Sequence, residues 1–322
     1  MSSCATQAVK LERVIVKLFK RKTEADLTTH AAAFAGTLHD DDIIRTEHLV
    51  KSFGKLIAVD DLTLGVRRGE SYGCLGPNGA GKTTTVNLLT TMDLPDSGVI
   101  TLDGCDAISE RITARRGIGV IQQQHSLEKE ISVRENIVHH GLMQYMSRAQ
   151  INESMDKLCE RMQLTDRLDT LVRDLSGGWK KRVAIVCSLI HNPQILFMDE
   201  PATGLDTQSR ALLHQMIRAI NHDGTTIFLT THYMSEAEDL CDRVGIINSG
   251  HFIAEGTPEE LCSHVGAFTL VVTDEQGVEH VSFYTSRAEA QQAASQAPET
   301  HAIQVREANL EDVFLELTGR KL

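Results

Sequence analysis

Residues 76–84 read Gly76-Pro77-Asn78-Gly79-Ala80-Gly81-Lys82-Thr83-Thr84, and no other stretch restricts the fold as tightly. Two glycines five residues apart, then lysine and threonine, form a pattern that works only between a strand and a helix. Both neighbours fit. Ser71-Tyr72-Gly73-Cys74-Leu75 is short and apolar enough for a buried strand, and Thr85-Val86-Asn87-Leu88-Leu89 can begin a helix. In that setting the glycines let the backbone curl with its N–H groups pointing inward, and the helix N-terminus adds partial positive charge. Lys82 can reach outer phosphates and the Thr83 hydroxyl can ligate Mg²⁺. A glycine-rich turn without function would satisfy the same local spacing, so the rest of the chain decides.

That rest alternates strands and helices. Residues 43–50 and 58–66 read as short strands around a turn at Gly54, an antiparallel edge sheet ahead of the loop strand. Phe53 stands beside that turn, where an aromatic is usually core but at a strand end can stack on a base. Further strands are expected at 99–102 and 118–121, the latter running into Gln122-Gln123-Gln124. Residues 127–172 carry helical periodicity, strongest over 133–146 and 148–162, and read as a block of helices inserted between strands. Ser176-Gly177-Gly178 opens an apolar helix over 183–190. A serine and bare backbone N–H groups there make a second anion site, or simply an N-capped turn. Ile195-Leu196-Phe197-Met198-Asp199-Glu200 is apolar on both faces, as a central parallel strand must be. Its two carboxylates emerge at the carboxyl end, where such sheets bind ligands. Pro201 to Asp206 reads as a tight loop. Residues 226–230 repeat the buried-strand pattern and end at Thr231-His232, and 244–247 with 251–254 form a hairpin around Asn248-Ser249-Gly250.

The ends differ from this middle. Within residues 8–22, Leu11, Val14, Ile15, Leu18 and Phe19 recur at helical spacing, with Lys10, Arg13, Lys17, Lys20 and Arg21 mostly opposite. Such a basic amphipathic helix packs on protein or lies on an anionic membrane surface. Lys17 interrupts the apolar run, which argues against a secretory signal. Residues 23–42 read as a polar linker. After Pro258 come alternating strands at 268–273 and 278–284, an Ala/Gln-rich helix over 288–297, a strand at 303–305, and a helix over 310–317 capped by Asn309. This appendage of about 55 residues is near the lower limit for independent folding. Seven scattered cysteines without a C-x-x-C pair read as reduced thiols rather than a disulfide or zinc framework. His139-His140 reads as helix surface rather than a metal site. The net charge of −12 opposes broad nucleic-acid binding. No apolar run reaches bilayer length, so a membrane role would need another chain.

Taken in order, the phosphate loop, Gln123, Ser176-Gly177-Gly178, Asp199-Glu200, Asp206 and His232 resemble the ATP-binding subunit of ABC transporters. Within these, the likeness is to the drug-exporter-like branch (ABC-2 type, daunorubicin-resistance-like), whose subunits carry a C-terminal appendage; Leu310-Glu311-Asp312-Val313-Phe314 resembles that branch's tail ending. The likeness spans about residues 43–265 strongly and the tail more weakly, and it omits 1–42. It implies an α/β P-loop NTPase fold: a parallel-sheet core, an antiparallel β subdomain, an inserted helical subdomain at about 125–190, and a small α+β domain at 266–322.

The resemblance also implies roles. Phe53 would stack on adenine, and Asn78, Gly79, Ala80, Gly81, Lys82, Thr83 and Thr84 would cradle the phosphates of ATP. Thr83, Asp199 and Gln123 would serve Mg²⁺, with Gln123 also near the attacking water and facing the membrane partner. Glu200 would orient and polarise that water, and His232 would contact the γ-phosphate. Asp206 would lie in a loop that communicates across a dimer. Ser176, Gly177 and Gly178 of a second copy would close over the γ-phosphate, so that two head-to-tail subunits enclose two ATP and power export through a separate permease. The expected location is peripheral, on the cytoplasmic face of the inner membrane. Trp179 departs from the family, which has glutamine or, in this branch, often methionine there. Two other classes fit less of the chain. A soluble ABC-type ATPase acting on nucleic acid or a ribosome-like partner would carry two cassettes or long coiled coils, and a nucleotide kinase would leave Ser176-Gly177-Gly178 and His232 unexplained.

Overall fold

The computed structural model describes residues 38–122, 127–298 and 300–319. The amphipathic helix expected over 8–22 and nearly all of the polar linker lie outside these residues. Asp42, placed in the linker above, already belongs to a strand and is buried, accepting the His39 backbone N–H at 2.8 Å.

Three sheets organise the chain. β1 (Asp42–Phe53) and β2 (Leu56–Arg67) form a long antiparallel hairpin turning at Gly54. β4 (Ser97–Leu102) and the two-residue β5 (Cys105–Asp106) extend it in the order β2-β1-β4-β5. The second sheet contains β3 (Ser71–Leu75), β6 (Ile118–Ile121), β7 (Ile195–Asp199), β8 (Thr226–Thr231), β9 (Arg243–Asn248) and β10 (His251–Gly256). Its order is β10-β9-β3-β8-β7-β6, parallel throughout except for β10 on the edge. Every residue of β3, β7 and β8 is buried, which is why these strands read as unbroken apolar runs rather than alternating ones. The third sheet, β12-β11-β13, holds β11 (Phe268–Thr273), β12 (Glu279–Tyr284) and β13 (Ala302–Glu307).

The core fills the space between the first two sheets. Leu49, Leu62, Leu64 and Ile100 meet Tyr72, Leu88, Phe197 and Phe228 there, all essentially without solvent exposure. Tyr72 stacks on Phe228 at 5.6 Å, and Phe228 tilts against Phe197 at 5.7 Å. These rings tie the three central strands together from one face.

Helices fill the connections. α1 (Lys82–Leu89) follows the glycine loop and α2 (Arg111–Arg116) precedes β6. The inserted block holds α3 (Val133–Met143) and α4 (Arg148–Arg161), each begun by a capping box, Ser132 with Glu135 and Ser147 with Gln150. α3 stops three residues short of the expected end because Tyr145 takes a left-handed backbone (φ 59°) ahead of the Ser147 cap. α5 (Gly177–Leu189) starts earlier than its apolar residues suggested, since the two glycines are its first turn. α6 (Thr207–His222), α7 (Met234–Leu240) and α8 (Pro258–Val265) were not anticipated. α9 (Arg287–Ala294) and α10 (Leu310–Thr318) complete the C-terminal region, and Asn309 caps α10 in a reciprocal box with Asp312. Buried Asp312 also accepts from Arg306 and Thr269, and the Leu310 backbone N–H donates to Glu238 of α7 at 2.7 Å.

Candidate active site

Strand order alone brings the sequence motifs together. β3 lies between β9 and β8, and β7 is next to β8. In register, Leu75 pairs with Thr231 and Asp199 with Thr230. The loops leaving β3, β7 and β8 therefore emerge side by side at one carboxyl edge, the usual place for ligands in such sheets. An open cleft of about 490 Å³ forms there, lined among others by Phe53, Asn78, Gly79, Lys82, Glu200 and His232.

The loop's curl depends on Gly81, whose φ of 112° suits glycine alone. A Cβ there would also sit 2.3 Å from the Ala58 carbonyl oxygen of β2. Lys82 is 4% exposed and donates to the carbonyls of Gly76 (2.8 Å) and Pro77 (3.1 Å), which fix its ammonium at the cleft floor. Its Nζ lies 3.3 Å from Glu200 Oε1. Thr83 Oγ1 donates to Asp199 Oδ1 at 3.3 Å, and Thr230 Oγ1 donates to the same oxygen at 2.5 Å.

Glu200 is held unusually. Its backbone is left-handed (φ 46°), a strained conformation for a glutamate. The turn is kept by its N–H, which donates to both Thr230 O (3.1 Å) and Thr230 Oγ1 (3.0 Å). The Thr203 hydroxyl donates to Oε2 at 3.1 Å, and His232 Nδ1 lies 3.2 Å from Oε1. Burial pushes this carboxyl up, but the Lys82 cation and the His232 contact outweigh it, and the group sits below its ordinary range. It is thus an ionised carboxylate at neutral pH, able to accept a hydrogen bond from water and align it.

Phe53 ends β1 half exposed at the cleft rim, with Lys51 Nζ 5.2 Å from its ring centroid. Gln123 lies outside the described residues. For Mg²⁺, the described donors are the Thr83 hydroxyl and the Asp199 carboxylate. Few protein oxygens, with the remainder left to phosphate and water, is the donor set Mg²⁺ favours.

Ser176, Gly177, Gly178 and Asp206 are not in this cleft. Ser176 occupies the N-cap position of α5 without using its side chain to cap it. Ser176 and Gly178 line a separate depression of about 180 Å³ between α5 and α6. A Cβ on Gly178 would lie 3.0 Å from Ser209 Oγ of α6, so any larger residue there would have to push that hydroxyl aside. Asp206 caps α6, accepting from the backbone N–H (2.9 Å) and hydroxyl (2.7 Å) of Ser209. Thr203, Thr230 and the strained backbone of Glu200 were missed above. Thr230 directly precedes the noted Thr231-His232, but its role appears only when β7 and β8 are paired.

Trp179 contacts two guanidinium groups, Arg167 at 4.3 Å and Arg182 at 4.4 Å from its ring. Arg182 also donates to Met162 O and Gln163 Oε1, both at 3.2 Å. The indole therefore fastens the start of α5 to the end of the inserted block. At about 0.5–1 kcal/mol for each cation–π contact, Trp179→Gln is expected to lower stability by about 1–2 kcal/mol. A denaturant midpoint equal to the parent's would show that the stack contributes nothing.

A glycine loop with a buried lysine, a carboxylate pair and a histidine, all at the carboxyl edge of a parallel sheet, defines a P-loop ATPase. The ABC transporter family profile matches residues 59–203, and that of the C-terminal domain of the nodulation factor export protein NodI matches 270–319. The Nod factor export ATP-binding protein I of Mesorhizobium japonicum (strain LMG 29417 / CECT 9101 / MAFF 303099) is 39% identical over 292 residues, covering 85% of this chain and 86% of that protein. The linearmycin resistance ATP-binding protein LnrL of Bacillus subtilis (strain 168) is 34% identical, covering 87% and 99%. Among solved structures, the dimeric post-hydrolysis state of the ATP-binding cassette MJ0796 bound to ADP and Pi superposes with a TM-score of 0.61 at 25% identity, over 66% of this chain and 98% of that one. The chain belongs to the ATP-binding subunits of ABC transporters, and its activity is nucleotide-dependent ATP hydrolysis coupled to transport. Among the described residues, no helix is long and apolar enough to cross a membrane.

Proposed function

We propose that this chain powers export through a separately encoded permease, working as a head-to-tail pair that encloses two ATP at the cytoplasmic face of the inner membrane. One observation carries the reading. The cleft holding Lys82, Glu200 and His232 is open, while Ser176 and Gly178, the other anion-binding backbone, line a different surface of the same chain. A second copy would bring its Ser176 and Gly178 over the terminal phosphate, with the positive end of α5 facing that charge.

Within the pocket, Phe53 stacks on the base and residues 78–84 cradle the phosphates. Thr83 and Asp199 would hold Mg²⁺, which neutralises charge on the β- and γ-phosphates when bound. Glu200 holds the attacking water in line, and Lys82 with His232 steadies the terminal phosphoryl group. The paired form is favoured with ATP and the separated form after hydrolysis, and this difference in affinity drives the permease between states. Export as the direction rests on the relatives named for Nod factor export and linearmycin resistance. The C-terminal residues 266–322 are proposed as a small domain of their own.

The pairing is tested by joining Ser176→Cys to Asn78→Cys, an exposed residue on the cleft rim, with a short bis-maleimide, using each single variant as control for the native thiols and first checking that the double variant binds ATP. An ATP-dependent adduct of two chains is expected in the double variant. An adduct within one chain, or none with ATP, would reject the arrangement.

A further inference from the structure

The mechanism above leaves unused one polar array that is buried at its centre. On α6, Asp206, Arg210, His214 and Arg218 recur every four residues and so share one face of the helix. That face meets α7. Arg210 lies 4.8 Å from the Tyr233 ring, His214 Nε2 lies 3.4 Å from Glu236 Oε1, and His214 Nδ1 lies 3.6 Å from Asp239 Oδ2. Arg218 donates to Asp239 O at 3.1 and 3.2 Å. Tyr233, Glu236 and Asp239 are spaced by three, the matching stripe on α7 and its cap.

The centre of this seam is its most buried part. Glu236 is 1% exposed and His214 8%. Glu236 Oε1 and His214 Nε2 make no hydrogen bond among the described residues, so their 3.4 Å ion-pair contact is what offsets the burial of both. The other Glu236 oxygen accepts from Thr231 Oγ1 at 2.5 Å, and the same hydroxyl oxygen accepts the Tyr233 N–H at 2.9 Å. Thr231 and Tyr233 flank His232, whose ring lies 4.1 Å from that of Tyr233. The turn presenting His232 to Glu200 is thus held from behind, through Glu236, by α6.

We propose that His214, assisted by Arg210, is a positioning residue for His232. It anchors Glu236, which anchors the turn formed by Thr231, His232 and Tyr233, and it makes α6 a strut between Asp206 and the terminal-phosphate site. The inference rests on the role given above to His232. Lys181 of α5 also acts electrostatically on Glu236, and Glu238 of α7 receives the α10 backbone, so α7 carries this seam to both neighbouring elements.

The test is steady-state ATPase kinetics on the full chain, with rates referred to folded protein. Misplacement of a reacting group costs about ten- to a hundredfold, so His214→Leu is expected to lower kcat by that factor with KM for ATP changed less than about twofold. His214→Gln keeps a donor toward Glu236 and should recover most of the rate, which a purely structural defect would not show. Arg210→Gln, at a half-buried position on the same seam, should lower kcat in the same sense and serves if His214→Leu does not fold. A folded His214→Leu, or in its absence Arg210→Gln, with the parent's kcat overturns the proposal, provided that His232→Ala is impaired. If His232→Ala itself keeps full activity, the site reading fails instead.

Discussion

Glu200→Gln is expected to lower the ATPase rate by at least about a hundredfold, the lower range for removing a positioned base, while ATP still binds. The carboxylate sits between Lys82 at 3.3 Å and His232 at 3.2 Å and is held ionised by them. Glutamine keeps the shape but loses the charge proposed to orient and polarise water. It also removes a negative charge from beside the proposed position of the terminal phosphate, so nucleotide affinity should not fall. Hydrolysis would then no longer separate the pair. Size-exclusion chromatography with ATP should show a persistent dimer, and a monomeric variant that retains ATP would contradict the paired mechanism. The Thr230 contacts to the Glu200 backbone survive this change, so the strained turn should stay formed.

Lys82→Ala is expected to remove ATP binding rather than turnover alone. Lys82 is the one cation on the cleft floor among the described lining residues, and its ammonium is already aimed there by the Gly76 and Pro77 carbonyls. Hydrogen bonds to charged groups contribute about 1.5–3 kcal/mol each, so loss of even one phosphate contact raises Kd by about ten- to a hundredfold or more. Removing Lys82 also leaves Glu200 facing the phosphates with only His232 to balance it, which adds repulsion. Equilibrium binding of a fluorescent ATP analogue reads this directly. Affinity within about threefold of the parent would mean that Lys82 does not reach phosphate.

Much of this architecture is legible in the sequence, for a definite reason. β3, β7 and β8 are covered on both faces, so their sequences are unbroken apolar runs, and each run ends at polar groups where the sheet ends. Asp199-Glu200 and Thr231-His232 therefore stood out. Asn309 and its helix were legible because a cap is a local device. α6 escaped notice although Asp206 caps it and Leu213, Ile217 and Ile220 are buried along one face. Its opposite stripe is polar, and the preceding Pro201 to Asp206 drew attention as a loop. α7 has too few residues for periodicity to register.

The seam between α6 and α7 was illegible for a different reason. His214 and Glu236 are a lone histidine and a lone glutamate in sequence, and only the packing of α6 on α7 makes them partners. Thr230 is similar: its hydroxyl joins Asp199 to the Glu200 backbone because β7 and β8 are neighbours in the sheet, though separated along the chain.

By itself, then, the sequence determined the local machinery: the curl of residues 76–84, the buried strands, the carboxylates at their ends and the helix caps. These depend on backbone preferences and burial within a few residues of one another. Only the tertiary structure decided which strand ends lie side by side, how Glu200 is strained into place, and that Ser176 and Gly178 line a different depression from the cleft of Lys82. Those outcomes follow from strand order and helix packing between distant segments, which short-range propensities do not encode.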